Sequence, residues 1–168
     1  MSKIRVSVNV SPRQLSHPYF VEQVKEVIEQ TGIRHSQLKL ELTESFILKD
    51  VQDAIEKMQE LRWIGISFSM DDFGTGYSSL SHLKRLPLEQ LKIDQSFVRD
   101  IPRDKSSCMM VRTIISIASN FSLEVVAEGV ENDDQFAFLR QYGCNIFQGY
   151  LFGKPIPVQE FEQLCRQQ

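Results

Sequence analysis

Residues 66–76 read Ile-Ser-Phe-Ser-Met-Asp-Asp-Phe-Gly-Thr-Gly. Apolar and polar side chains alternate from Ile66 to Met70, which is the period of a β-strand, and two aspartates and a glycine-rich turn follow. Parallel strands that are covered on both faces normally consist of near-continuous apolar residues. The alternation therefore predicts a strand with one face on an apolar core, while the face of Ser69 and Asp71 looks into a polar space.

Further strands with this alternation are predicted, and helix-like segments separate them. The strands are predicted at residues 4–10, 38–43, 90–93 and 124–127, with a sixth at 146–148. The helices are predicted at residues 20–31, 51–61, 80–85, 108–121 and 132–142, with a last helix from Val158. This strict strand–helix order with short connections predicts a parallel α/β sheet with right-handed crossovers, either open and doubly wound or part of a barrel.

The position of the polar residues favours the barrel. Five of them fall late in their strands and on the same face: Asn9, Glu41, Asp71, Lys92 and Glu128. In a barrel these positions form a ring at the C-terminal mouth of the lumen, where barrel active sites lie. Because such barrels have eight strands and about 250 residues, six strands indicate an incomplete (β/α)8 TIM-like barrel, with residues 1–168 as one truncated domain.

Composition and charge exclude several classes of protein. The 168 residues contain 19 Lys and Arg against 22 Asp and Glu, a formal charge of −3, so a nucleic acid polymer is not an expected partner. The three cysteines are far apart and outside any C-x-x-C pair, and the sequence has neither a signal-peptide pattern nor a membrane-spanning apolar run. We therefore expect a cytoplasmic protein.

The predicted ring suits a hard divalent cation. Carboxylate and amide oxygens without His or Cys favour Mg²⁺ or Mn²⁺ over Zn²⁺. Adjacent Asp71 and Asp72 can flank two metals about 4 Å apart, which activates water against a phosphodiester, and Lys92 can orient that water. Two other interpretations stay open: an ordinary turn at the two aspartates, and a Mg-dependent enolase-like barrel enzyme in which Lys92 abstracts a carbon-bound proton.

Six motifs occur in order along nearly the whole chain. They are Ser7-Val8-Asn9-Val10-Ser11, Glu41-Leu42-Thr43-Glu44, the segment from Asp71-Asp72-Phe73-Gly74 to Leu80, Lys92-Ile93-Asp94, Ala127-Glu128-Gly129-Val130-Glu131, and Gln148-Gly149-Tyr150 leading to Pro155. Together they resemble the EAL domain family, the cyclic di-GMP phosphodiesterases of bacterial second-messenger signalling. The resemblance implies a two-metal hydrolase that converts cyclic di-GMP to linear pGpG.

The resemblance also implies a set of metal ligands. Asn9, Glu41 and Asp71 would hold one Mg²⁺ or Mn²⁺. Asp71 would bridge to a second cation held by Asp72 and, directly or through water, Glu128. Asp72 and Glu128 would thus belong to the catalytic centre as well as to the metal site.

The remaining motif residues have roles implied in the same way. Lys92 would position the hydrolytic water. Glu44 would anchor the loop of residues 72–80, which in this family couples the metals to dimerisation and substrate binding. Asp94, Glu131 and Gln148 would support the site or bind substrate at the mouth. A homodimer, and an upstream sensor or GGDEF-type domain in a longer parent protein, are the implied partners.

One family feature is missing from this sequence. The Glu-Ala-Leu segment that precedes the Asn9 strand, and that supplies another metal-ligating glutamate, does not occur here. The chain thus resembles the C-terminal two-thirds of a catalytic-type domain, and we expect it to hydrolyse cyclic di-GMP poorly by itself. A non-catalytic module that binds cyclic di-GMP or a protein partner is the alternative within the family.

Overall fold

The computed structural model describes residues 4–44, 51–76 and 80–167. Within them, six strands form one parallel sheet whose spatial order follows the chain. The strands are β1 (Val6–Val10), β2 (Leu38–Thr43), β3 (Ser67–Phe73), β4 (Gln90–Ile93), β5 (Glu124–Ala127) and β6 (Ile146–Phe147). Neighbouring parallel strands need a crossover between them, and the predicted alternation of strands and helices is confirmed.

The crossovers are mostly helical. The helices are α1 (Pro12–Leu15), α2 (Phe20–Thr31), α3 (Val51–Trp63), α4 (Leu80–Leu83), α5 (Gln95–Asp100), α6 (Lys105–Asn120), α7 (Asp133–Gln141) and α8 (Val158–Gln167), with a 3₁₀ turn at His35–Gln37. No helix in the described part of the chain is both long and apolar enough to cross a lipid bilayer.

Local sequence sets the ends of these helices. Gly32 closes α2 in the left-handed conformation, with φ 66°, and its amide donates to the Ile28 carbonyl. Asn132 begins α7 in a capping box with Gln135, in which each side chain accepts from the other residue's backbone amide. Both ends fall where the sequence predicts them.

The apolar phase of the central strands packs under the helices. Leu40, Phe68 and Leu91 are buried on this face, against a layer that includes Met58 of α3 and Ile114 of α6. Burial of each side chain of this size stabilises the folded chain by about 1.5–3 kcal/mol relative to leaving it exposed. This layer forms the single hydrophobic core of the described residues.

The polar phase is buried on the opposite face of the sheet. Lys39, Glu41, Ser69, Gln90 and Lys92 all have at most 8% of their surface exposed. Neighbouring strands lie about 4.8 Å apart, so β2 and β5 of a flat sheet would be separated by about 14 Å. Glu41 of β2 and Glu128 directly after β5 nevertheless contact the same ammonium group of Lys92. The sheet is therefore curved, with its polar face on the concave, lumen side, as the strand alternation predicts for a TIM-like barrel wall.

Several details differ from the sequence-based expectation. Helices α1 and α5 were not expected, and α6 begins at Lys105 rather than at Cys108, because the Asp104 side chain accepts from the Ser107 amide and caps it earlier. Strand β3 continues to Phe73, so the two aspartates are part of a strand and not an ordinary turn. The sequence also predicts that Asp50 caps the helix that begins at Val51, but Asp50 lies outside the described ranges.

Candidate active site

Lys92 lies at the centre of a cluster of carboxylates inside the concave face. Its Nζ is 2.7 Å from Glu41 Oε2, 3.1 Å from Asp71 Oδ1 and 2.6 Å from Glu128 Oε1. Only 5% of the Lys92 surface is exposed. Three separate strands thus bring their acidic residues to one buried ammonium group.

A β-bulge places Asp71 and Asp72 on the same side of the sheet. Met70 pairs with Leu91 and Phe73 pairs with Ile93, so two residues of β3 stand opposite the single residue Lys92 of β4. Asp72 adopts φ 54°, a left-handed conformation that aspartate tolerates better than most residues. Without the bulge, the two consecutive side chains would point to opposite faces.

The bulge completes a group of three carboxylates. One oxygen each from Asp71, Asp72 and Glu128 lies within 4.8 Å of the other two. Burial raises the pKa of the Asp72 carboxyl, and the neighbouring charges of Asp71 and Asp94 raise it further. Burial likewise raises the pKa of Glu128, although the Lys92 ammonium opposes this effect. Asp72 and Glu128 thus hold protons more tightly than isolated carboxyls, first because they are partly buried and then because negative charge is crowded around them.

The Lys92 ammonium is stabilised by the same crowding. Burial lowers the pKa of Lys92, but hydrogen bonds to Glu128 and Glu41 and the charge of Asp71 outweigh it, so the pKa lies above its usual value. These carboxylates therefore hold Lys92 as a cation, which disfavours a role as general base.

The donor set fits divalent cations. Glu41, Asp71, Asp72 and Glu128 supply only oxygen atoms, and one ammonium leaves an excess of negative charge if all four are ionised. Such a set suits Mg²⁺ or Mn²⁺, and a cation placed among these residues would relieve the repulsion that raises the pKa values of Asp72 and Glu128.

Glu44 holds the turn that follows β3. Its Oε2 accepts hydrogen bonds from the amides of Gly74 at 2.9 Å and of Gly76 at 3.0 Å, and only 4% of Glu44 is exposed. A Cβ on Gly76 would lie 3.0–3.3 Å from the atoms of this carboxylate, so a side chain at this position would crowd Glu44. Residues 77–79 of the predicted loop lie outside the described ranges.

Asp94 supports the site from the start of α5. Its side chain accepts from the Ser96 amide at 2.9 Å and caps that helix, and it also shares a hydrogen bond with Asp72. Although burial acts in the opposite direction, the bonds from Ser96 and Asp72 hold the pKa of Asp94 below its usual range. Asp94 therefore fixes one side of the Asp72 carboxyl.

The other predicted site residues do not join the central cluster. Asn9 pairs in register with Glu41, on the same face of the sheet, but it is exposed. Glu131 and Gln148 are also exposed. The amide of Glu131 donates to the Gln135 side chain, and the backbone of Gln148 bonds to Ala127 and Val130.

Sequence reasoning missed the bulge, the cap by Asp94, and a second polar layer deeper in the lumen. In that layer Lys39 Nζ lies 3.4 Å from Glu89 Oε1, which also pairs with Arg5. The strand alternation could have marked two of these residues. Arg5, directly before β1, and Lys39 of β2 both fall at polar positions of the alternation. Nothing in the strand pattern marks Glu89, which precedes β4.

Comparison with known proteins agrees with this geometry. The family model described as "EAL domain" matches residues 1–155. The chain is 43% identical over 164 residues to the cyclic di-GMP phosphodiesterase NbdA of Pseudomonas aeruginosa, covering 98% of this chain and 21% of NbdA. MucR of the same organism, named a bifunctional diguanylate cyclase/cyclic di-GMP phosphodiesterase, is 39% identical over 155 residues, 92% of this chain and 23% of MucR. The chain thus spans about a fifth of the length of these relatives.

Solved structures of relatives share the fold. A c-di-GMP complex of the MucR phosphodiesterase superposes with a TM-score of 0.89 at 38% identity, over 94% of this chain and 64% of that one. The Klebsiella pneumoniae protein BlrP1, in a manganese and cy-diGMP complex, gives a TM-score of 0.81 at 31% identity, over 90% of this chain and 39% of that one. The chain therefore belongs to the EAL domain family.

Proposed function

We propose that this chain is the catalytic part of a cyclic di-GMP phosphodiesterase, which hydrolyses one phosphodiester bond of the cyclic dinucleotide to give linear pGpG. The observation that carries the proposal is the cluster of Asp71, Asp72 and Glu128 around Lys92 at the C-terminal mouth of parallel strands. The names of NbdA and MucR and the ligand of the MucR structure support the choice of substrate.

Divalent cations are the expected cofactor, and Mg²⁺ or Mn²⁺ is the choice that the oxygen donors favour. Asn9, Glu41 and Asp71 would hold one cation, while Asp71, Asp72 and Glu128 would hold the second. Bound there, the two cations would supply an activated water and stabilise charge on the phosphodiester. The manganese named in the BlrP1 complex supports the use of a divalent cation.

The chain's own residues would orient the reactants. Lys92 would hold the attacking water and offset negative charge that develops on the phosphate oxygens, because its side chain reaches the centre of the carboxylate cluster. Glu128 lies beside Lys92, with its Oε1 2.6 Å from the ammonium, and Asp72 lies close to Glu128 and Asp71, so both carboxylates belong to the same centre. Asp94 would keep Asp72 in place, while Glu131 and Gln148 would contact the substrate from the rim.

Glu44 would link the metal site to regulation through the turn that follows β3. By holding the Gly74 and Gly76 amides it would fix the loop that leads from the metal ligands to α4. A second copy of the chain and an upstream sensor or GGDEF-type domain are the partners that we propose, in a cytoplasmic setting. The name of MucR, which combines both activities, supports the second of these partners.

Turnover of cyclic di-GMP with Mn²⁺, followed by chromatography of pGpG, tests the proposal. We expect Asp71→Asn to abolish product, while Asp134→Asn, an exposed aspartate in the first turn of α7, leaves turnover unchanged. Calorimetric titration with cyclic di-GMP separates binding from hydrolysis. Binding without turnover, in this chain and in one extended through the Glu-Ala-Leu segment, would indicate a non-catalytic module instead.

A further inference from the structure

Ser69 has a buried hydroxyl without a partner. It lies in the middle of β3 on the lumen face, in register between Glu41 of β2 and Gln90 of β4. The residue is 0% exposed, and among the described residues its Oγ has no hydrogen-bond partner. Buried polar atoms are almost always hydrogen-bonded, so an exception in a candidate active site needs a physical reason.

The surroundings of Ser69 connect it to Lys92. Lys92 belongs to β4 and contacts Glu41 of β2, so its side chain crosses the lumen face of β3, which lies between them. The ammonium is held between Glu41, the register neighbour of Ser69, and Asp71, the next lumen-facing residue of β3. A small side chain at position 69 leaves room for this crossing.

In the arrangement described above, the carboxylates satisfy the Lys92 ammonium without Ser69. An ammonium group has three N–H donors, and three carboxylates surround the one on Lys92. The same carboxylates are the proposed metal ligands. When a divalent cation takes up their oxygen atoms, Lys92 loses acceptors while its side chain remains buried.

We propose that Ser69 is a positioning residue for Lys92, whose hydroxyl accepts a hydrogen bond from the ammonium once divalent cations engage Glu41 and Asp71. This inference rests on the proposed metal-dependent function and deepens it. The hydroxyl thereby keeps the ammonium beside the metals, and it gains a partner only in the loaded site. Ser69 would therefore stabilise the loaded protein and not the metal-free one.

Calorimetric titration of the whole chain with Mn²⁺ tests this difference. Ser69→Ala removes the hydroxyl but nearly conserves the volume, and the matched control is Ser67→Ala, on the same face of β3 one step deeper. We expect Ser69→Ala to weaken Mn²⁺ binding about tenfold, the size of one hydrogen bond to a charged group. Ser67→Ala should stay within about twofold of wild type, since Ser67 is not an orphaned buried hydroxyl.

Two further measurements separate positioning from a merely structural role. The melting temperature of Ser69→Ala without metal should equal or exceed that of wild type, because the lost hydroxyl had no partner in that state. In a Lys92→Met background, Ser69→Ala should no longer change the Mn²⁺ affinity, because the group through which the hydroxyl acts is gone.

Each other outcome overturns the inference. Equal Mn²⁺ affinity of wild type and Ser69→Ala would show that the hydroxyl makes no bond in the loaded site. An effect that persists in Lys92→Met would show that it acts through another group. If wild type itself does not bind Mn²⁺, the proposed metal site fails first and this inference fails with it, and the initial titration distinguishes that result.

Discussion

Lys92 is a cation that is largely excluded from water, and the carboxylates around it make its burial tolerable. Removal of one partner from a buried ion pair leaves the other charges without compensation, and this is more damaging than the loss of an exposed pair. Lys92 is the counter-ion of Glu41, Asp71 and Glu128 in this structure. With divalent metals bound, the metals would share the neutralisation of these carboxylates. The effect of substituting Lys92 on stability should therefore depend on whether a divalent metal is bound.

Lys92→Met should therefore destabilise the metal-free chain by about 3 kcal/mol, since three carboxylates then face one another without a cation. Saturating Mn²⁺ should restore most of that stability. Urea unfolding with and without Mn²⁺ measures both effects. The control is Lys25→Met, which removes the exposed pair with Glu60 and should cost under about 1 kcal/mol in either condition. A loss of stability in Lys92→Met that Mn²⁺ does not reverse would show that Lys92 is not the counter-ion of these carboxylates.

Lys92→Ala should affect rate more than substrate affinity in a chain extended N-terminally through the Glu-Ala-Leu segment. An ammonium that orients water and offsets developing charge acts mainly in the transition state, so kcat should fall by at least about a hundredfold with little change in KM. Single-turnover kinetics and cyclic di-GMP titration check this. Severely weakened binding with an unchanged single-turnover rate would assign Lys92 to substrate binding instead.

At the scale of secondary-structure elements, the bulge in β3 is the feature on which the site depends. It turns two consecutive residues, Asp71 and Asp72, toward Lys92, and it holds Asp72 in a left-handed conformation. This conformation is unfavourable for residues with a Cβ, and the neighbouring carboxylates of Asp71 and Asp94 add repulsion. The metal-free chain thus carries a local cost at a position that its proposed function requires.

Asp72→Gly should stabilise the metal-free chain by about 1 kcal/mol, because glycine adopts positive φ readily and the substitution removes a crowded carboxylate. The same variant should lose most of the Mn²⁺-induced rise in melting temperature. Asp72→Ala removes the same carboxylate but keeps the Cβ, so it should be about 1 kcal/mol less stable than Asp72→Gly. Thermal unfolding of the three proteins with EDTA and with Mn²⁺ gives the comparison, and a destabilised Asp72→Gly would contradict it.

The turn after β3 depends on a charged acceptor. Glu44→Gln keeps the shape of the side chain but weakens the bonds from the Gly74 and Gly76 amides, since a carboxylate is a stronger acceptor than an amide oxygen. We expect hydrogen exchange of these two amides to accelerate about tenfold or more. In wild type, Mg²⁺ or Mn²⁺ should slow exchange in residues 73–79. Exchange that is indifferent to both the metal and the substitution would count against Glu44 as the anchor.

The strands and helices were predictable from the sequence where the local pattern of apolar and polar residues matches the way the element packs in the fold. Strands β4 and β5 lie at the predicted residues, because alternating side chains separate a core face from a polar face. Helix α5 was missed because its six residues are too few for a clear apolar period, and its cap, Asp94, looked like the end of a strand. The bulge was not predictable, because it depends on the register between β3 and β4, a tertiary property.

For the molecule as a whole, the two ends of the described chain expose apolar side chains. On β1, Val6 is 48% and Val8 is 44% exposed. Helix α8 exposes Val158 at 61%, Phe161 at 46% and Leu164 at 51%. Exposed apolar side chains favour association, and β1 also lies at the edge of the sheet formed by the described residues.

The 168-residue chain should therefore self-associate, and it should turn over cyclic di-GMP much more slowly than a chain that includes the Glu-Ala-Leu segment. Light scattering at increasing concentration should show a rising average mass, and exchange of both Phe161 and Leu164 for Ser should reduce it, because apolar contact area is lost. The matched control, Glu162→Gln, changes a polar residue of the same helix and should leave association unchanged. Equal turnover from a monomeric 168-residue chain would contradict this prediction.

We expect the carboxylates around Lys92 to bind a pair of divalent cations. Anomalous diffraction at the manganese edge, from crystals of the chain grown with Mn²⁺, is the decisive measurement. It should show two peaks about 4 Å apart, with Asp71 contacting both, Glu41 on one side and Asp72 and Glu128 on the other. Absence of peaks at this cluster, or manganese bound only elsewhere on the chain, would contradict this expectation.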